Sequence, residues 1–169
     1  MIRVWALLAL AVLSAYPAPP GRVPDINEAC DATTVVRATS SGAVGGVMTP
    51  RGLAFVGNPF AAPPLANRRF MPPASPPAWI DTVPAIVPGD SCGTSEDCLT
   101  LNIYAPHDAS PAHPRPVMVW IYGGRSSWKP TTSMTSSTMA EQQQVIIVAA
   151  NYRLGALGFL AHLALAGPG

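Results

Sequence analysis

The stretch that most limits how this chain can fold is residues 116–124, Pro-Val-Met-Val-Trp-Ile-Tyr-Gly-Gly. Val117 to Ile121 form an unbroken apolar run containing β-branched and aromatic types that favour strands. Bounded by Pro116 on one side and paired glycines on the other, the run reads as a strand buried on both faces. A buried helix segment is the alternative, but Gly123 and Gly124 would break such a helix within two turns. A second apolar run, residues 145–150, follows after enough chain for a helical crossover. Together they predict a βαβ unit with a glycine turn at the carboxyl end of its first strand. Open α/β sheets bind ligands at that end, so the turn is the first place to look for a site.

The 169 residues fit one domain with a core of ordinary size. A net charge of +1 and a charged fraction of 11% provide neither a basic surface for nucleic acid nor an acidic tail. Proline accounts for 20 residues, more than twice the usual share of about 5%. The prolines cluster at 17–24, 59–88 and 111–116, so much of the first two-thirds is expected as loop or short edge strand.

Residues 1–15 read as a signal peptide rather than structure. Arg3 supplies a small positive start, residues 4–13 an uncharged apolar run, and Ser14 and Ala15 the small side chains suited to cleavage. The run falls short of the roughly 20 residues that span a bilayer; an uncleaved anchor is the alternative. Export predicts a secreted, extracellular protein without a membrane span after cleavage, in which the cysteines can be oxidised. No Asn-x-Ser/Thr acceptor occurs. Residues 16–32 form a polar, proline-bearing lead-in, and its Cys30 either pairs with another chain or stays free.

Residues 33–60 read as an antiparallel β meander, with strand candidates at 34–39, 45–48 and 53–56 separated by turn signals at 40–43 and 49–52. Residues 57–64 must run extended, because each residue before a proline is pushed out of the helical region. Arg68, Arg69, Phe70 and Trp79 are the large side chains of the proline tract, and they read as packing and ion-pairing groups. Cys92 and Cys98 lie close enough in an exported chain to suggest a local disulfide, whose short loop would contribute about 2.4 kcal/mol in the chain-entropy model. Leu99, Leu101 and Ile103 alternate with Thr100, Asn102 and Tyr104, the pattern of a half-buried strand ending at Pro106. His107 and His113 fall in a solvated turn.

Glu96-Asp-Cys-Leu-Thr-Leu-Asn-Ile-Tyr-Ala-Pro106 resembles the EDCL-x-LN-x-Y-x-P segment of the type-B carboxylesterases, the cholinesterase-like branch of the α/β-hydrolases. Gly57-Asn-Pro-Phe-Ala-Ala-Pro-Pro64, with Arg69-Phe70 and Trp79, is similar to that family's GIPYA-x-PP, RF and W positions. Residues 117–124 resemble its VMVWI(H/Y)GGG strand and loop, and residues 151–160 its NYR-x-G-x-x-GFL segment. Four motifs in the right order are far more specific than any one of them.

The resemblance implies an α/β fold. The chain would supply an amino-terminal β meander and the first strands of a central, mostly parallel sheet. Three sheet strands are expected, with one apolar edge unpaired, an aggregation hazard. It also implies residue roles: Cys92–Cys98 as a family disulfide, Arg69 and Glu96 as a structural ion pair, and Gly123 and Gly124 in an oxyanion loop. An acyl-transfer intermediate needs backbone N–H groups aimed at its developing oxyanion, and a side chain there would obstruct the approach. A short helix over 137–144 would follow. A tight strand-to-helix turn is the purely structural alternative for the glycines. Where the family pattern has a third glycine and Phe, this chain has Arg125 and Ser126, and the guanidinium would sit beside the acyl pocket. The Cys92–Cys98 loop is much shorter than the choline-binding loop of cholinesterases, which argues against choline esters.

In this fold the nucleophile elbow, the acid and the histidine come later, in that order, and the 169 residues hold none of the three. The expectation is an amino-terminal portion, residues 33–169, of a secreted carboxylic ester hydrolase, inactive by itself. A non-catalytic binding or adhesion module is the alternative. Its substrate class would be a small carboxylic ester, with no cofactor, metal or nucleic acid. Gly89-Asp-Ser-Cys-Gly93 matches G-x-S-x-G literally, but Val87-Pro88 precedes it and no helical pattern follows. Ser91 therefore reads as a disulfide-loop serine. His162, in the apolar stretch near the terminus, reads as a packing or surface residue.

Overall fold

A computed structural model describes residues 34–123, 134–162 and 165 of the chain. The segment read as a signal peptide, the lead-in with Cys30, and Gly124, Arg125 and Ser126 lie outside the described residues. The frame is a mixed sheet of seven strands: β1 (Thr34–Thr39), β2 (Gly42–Thr49), β3 (Gly52–Pro59), β4 (Val83–Pro84), β5 (Thr100–Ala105), β6 (Val117–Trp120) and β7 (Ile146–Ala150). Two helices, α1 (Met134–Gln143) and α2 (Gly155–Phe159), and a 3-10 turn at Ala66–Arg68 complete the described elements. The strands lie in the order β1-β2-β3-β5-β7-β6, and β4 pairs with β2 off that path.

The sequence predicts an amino-terminal meander and three strands of a larger sheet. In the structure β3 pairs antiparallel with β5 and makes meander and central strands one continuous sheet. Both meander turns are fastened alike: the Thr39 hydroxyl donates to the Gly42 carbonyl at 2.7 Å, and that of Thr49 to the Gly52 carbonyl at 3.0 Å. The proline tract contributes β4 where β2 and β3 diverge. The Ala85 N–H reaches the Gly45 carbonyl at 2.7 Å, and the Val56 N–H reaches the Ala85 carbonyl at 2.8 Å.

Strand alternation divides the core between two faces. Leu53, Phe55, Leu101, Ile103, Ile146 and Val148 pack on one. Ala54, Tyr104 and Ile147 pack on the other, against Ala140 of α1, which has no exposed surface. The second contact corrects the half-buried reading of β5: Asn102 and Tyr104 are covered as well, because α1 lies on β3, β5 and β7. Burial pushes the Tyr104 phenol up to about 12, so it stays neutral. The helix begins earlier than the predicted 137–144. It stops where Gln144 turns left-handed at φ 54°, letting the Val145 N–H reach back to the Ala140 carbonyl at 3.1 Å.

The βαβ unit forms as read, with β6 and β7 parallel and α1 between them in sequence. The burial predicted for β6 does not. Val119, Trp120 and Ile121 are 61%, 49% and 75% exposed, because among the described residues β6 has a strand neighbour, β7, on one side alone.

Candidate functional site at the carboxyl ends of β6 and β7

Parallel pairing brings the exits of β6 and β7 to the same end of the sheet, where Asn151-Tyr-Arg153 follows β7 and Gly123 follows β6. Consecutive side chains leaving an extended strand diverge, and these three reach three different loops. Asn151, buried, donates through Nδ2 to the carbonyls of Asp90 and Cys98, each at 3.0 Å, and to Thr100 Oγ1 at 3.3 Å. The Tyr152 hydroxyl donates to the Tyr122 carbonyl, and the two tyrosine rings lie tilted with centroids 4.8 Å apart. Arg153 donates to the Met71 carbonyl at 2.6 Å.

The loops so held include most of the residues singled out from the sequence. Cys92 and Cys98 are joined, Cα atoms 5.0 Å apart, in the loop anchored by Asn151. Arg69 grips the Glu96 carboxylate with two guanidinium nitrogens. That hydrogen-bonded contact raises the arginine further and holds the carboxyl below its ordinary value. The pair is solvent-exposed, so it ties the Phe70 segment to the disulfide loop more by geometry than by energy. Phe70 itself is left-handed at φ 60°. Trp79 packs against the core and donates its indole N–H to the Ala43 carbonyl at 2.7 Å.

Other motif positions repair the sheet. Register slips between Phe55 and Asn58 where β3 meets β5, leaving backbone groups off the ladder. The Gly57 N–H is taken by Asn102 Oδ1 at 2.8 Å, while Asn58 Nδ2 donates to the carbonyls of Phe55 and Leu101. Gly57 sits at φ 74°, and a Cβ there would lie 1.9 Å from the Val87 carbonyl oxygen. These residues hold a bulge in place.

Gly123 differs. It is exposed, its φ is not left-handed, and a Cβ would meet nothing within 4 Å among the described residues. Packing among the described residues gives no reason for glycine at this position. Beyond the carboxyl end of β7 lies a groove of about 1120 Å³ walled by Phe60, Phe70, Leu99, Phe159 and Leu160, with Asn151, Tyr152 and Arg153 along its edge; Gly123 is not part of its wall. Burial raises the Tyr122 phenol above its ordinary value.

Ser91 occupies a turn, its Oγ accepting from the Gly93 N–H at 3.1 Å and its carbonyl from Thr94 and Ser95. No strand precedes it and no helix follows, so it lacks the elbow's setting. His113 is exposed beside Ser110, and His162 is exposed near the groove. His107 Nδ1 lies 3.1 Å from Glu141 Oε2 and Nε2 lies 2.8 Å from the Thr49 carbonyl. Carboxylate and carbonyl both only accept, so both contacts are hydrogen bonds only while both ring nitrogens carry protons. The hydrogen bond to Glu141 raises the His107 pKa above its ordinary value and lowers that of Glu141.

Residues 32–169 match the Carboxylesterase family. The chain belongs to that family. It is 41% identical over 149 residues to fumonisin B1 esterase of Sphingopyxis macrogoltabida, a match covering 80% of this chain and 27% of that protein. It is 36% identical over 158 residues to cocaine esterase of Oryctolagus cuniculus, covering 78% of this chain and 30% of the relative. Among solved structures, a PNB esterase superposes with a TM-score of 0.70 at 35% identity, over 78% of this chain and 30% of that one. The fold is accordingly part of an α/β-hydrolase domain, and the chain spans less than a third of the length of these relatives.

The Asn-Tyr-Arg segment stands out in the sequence as a family motif, yet the motif assigns its side chains no work. A polar triplet directly after a buried apolar strand was the available signal: three hydrogen-bonding groups at a strand exit need partners, and loops from elsewhere supply them.

Proposed function

We propose that this chain forms the amino-terminal part of a secreted hydrolase of small carboxylic esters, acting through a serine acyl-enzyme whose nucleophile, acid and histidine follow Gly169 in the complete polypeptide. Family membership supports ester chemistry. The observation that carries the reading to a site is Gly123, a glycine that the described structure leaves open at the carboxyl end of β6. Space without a packing purpose suits close approach by a ligand, with Gly123 and Gly124 contributing backbone N–H groups to an oxyanion hole. Arg125 follows where the family pattern has glycine. It keeps a backbone N–H while adding a cation to the sequence of the loop, and it favours a second reading, a binding module without turnover. Export rests on residues 1–15; among the described residues no helix is long and apolar enough to cross a membrane.

Taken by itself, the chain should not turn over a short-chain p-nitrophenyl ester above the buffer rate, whereas the complete polypeptide should. Turnover by the chain that disappears in Ser91→Ala would overturn the first half. A complete polypeptide carrying an intact elbow, acid and histidine yet failing to turn over would favour the binding module.

A further inference from the structure

The Cys92–Cys98 bond closes a loop that two side chains from other parts of the chain also hold. Asn151 Nδ2 gathers both ends of the loop, donating to the carbonyls of Asp90 and Cys98 at 3.0 Å each. Arg69 grips its middle at the Glu96 carboxylate, and the Glu96 carbonyl in turn accepts from the Cys98 N–H at 3.0 Å. Beside the bond lies a recess of about 10 Å³ whose walls include both cysteines, Arg69, Glu96, Phe70 and Leu157. That is room for about one water molecule, too little for a sulfur carrying a carbon chain. The two cysteines also differ. Cys98 is 1% exposed and packs with Ala61 and Leu99, whereas Cys92 is half-buried.

We infer that this loop gates the redox state of its own disulfide: a small-molecule thiol reduces the Cys92–Cys98 bond only after the loop lifts off Asn151 and Arg69, and then by attack at Cys92. Exchange begins when a thiolate attacks one sulfur of a disulfide. Attack on Cys92 Sγ forms a mixed disulfide, breaks the Cys92–Cys98 bond and leaves the electron pair on Cys98 Sγ, which takes a proton from water. A second thiolate then attacks the reductant's sulfur and frees Cys92, and the reductant departs as a disulfide, two electrons poorer. While the loop is closed the first sulfur cannot enter. Charge arriving on Cys98 would also be set down among Ala61 and Leu99, a costly place for an ion. Opening removes both obstacles. The anchors are unequal, because the Arg69–Glu96 pair is solvent-exposed and holds weakly, whereas the bonds of the buried Asn151 amide are expensive to break. The gate is independent of any ester chemistry at the site.

The test follows reduction in the full chain, with Cys30 alkylated beforehand. Dithiothreitol is the reductant, iodoacetamide stops the reaction, and mass spectrometry reads the label on Cys92 and Cys98. Asn151→Ala should speed reduction about thirtyfold and Arg69→Ala about threefold, the scales of a buried amide's bonds and of an exposed ion pair. Sodium chloride at about 1 M, which screens exposed charges, should speed the unmodified chain as much as Arg69→Ala does and leave that variant unchanged. A lifted loop exposes little new surface, so urea below the unfolding transition should barely alter the rate. With glutathione as a monothiol, the trapped mixed disulfide should sit on Cys92. A rate that climbs with urea in step with global unfolding overturns the gate, as does a rate equal to that of the free peptide 88–100. An adduct trapped on Cys98 overturns the assignment of Cys92. If either variant fails to fold, salt decides, and an unmodified chain whose rate ignores it overturns the Arg69 latch.

Discussion

β6 and β7 lie side by side, parallel and in register from Val117↔Ile146 to Trp120↔Ala149, and both are runs of apolar residues. Ile147 and Val148 are 3% and 7% exposed, whereas Val119 and Trp120 are 61% and 49% exposed. Composition does not separate them; position does. β7 has a strand on each side and α1 packed on it, while among the described residues β6 has β7 alone for a strand neighbour. An apolar run states that a strand is suited to being covered. It does not state what covers it.

The contrast is broken most directly by truncation. Ile147→Ala should destabilise the chain by about 3 kcal/mol, the cost of a cavity in a packed core, while Val119→Ala should stay within about 0.5 kcal/mol. Urea midpoints measure both. Equal losses would mean that the β6 edge is covered in solution. A second comparison concerns the exit of β7. Asn151→Ala strands buried carbonyls and should cost about 2 kcal/mol, whereas the more exposed Arg153→Ala should cost less than about 1 kcal/mol. Thermal unfolding of the two variants ranks them, and the reverse order would displace Asn151 as the anchor.

The smallest effect lies at the far end of α1, the helix that covers β7. The His107 pKa is raised, so its contribution is complete below the ordinary histidine value and is lost as pH rises through the raised one. The Glu141 pKa is lowered, so its share is present above the ordinary carboxylate value and is lost as pH falls through the lowered one. Stability attributable to the pair should peak between those limits. Both side chains are more than a third exposed, so His107→Gln should flatten the pH profile by only about a few tenths of a kcal/mol.

Much of the fold was legible. The hairpin turns at 40–43 and 49–52, the β7 run and the βαβ connection follow from residue type and spacing, as does the non-catalytic setting of Ser91. The start of α1 was not, because Met134-Thr-Ser-Ser-Thr138 carries no apolar periodicity; its hydroxyl residues favour caps and turns as readily as helix. Burial of Asn102 and Tyr104 was hidden for a related reason. Polar side chains alternating with Leu101 and Ile103 suggest a wet face, until a helix whose contact residue is a small alanine comes down on it. Of the candidate site, Gly123 stood out as a break in an apolar run. Tyr152 did not, since its partner is a backbone carbonyl and every residue has one.

Asn151, Tyr152 and Arg153 meet three loops whose other contacts lie far apart along the chain. Their adjacency makes that end of the sheet sensitive to length as well as identity. A substitution at any of the three releases one loop and leaves two. Deleting Ala150, the last residue of β7, would turn each side chain away from its partner and release all three together. The tripeptide should therefore tolerate a change of letter far better than a change of spacing.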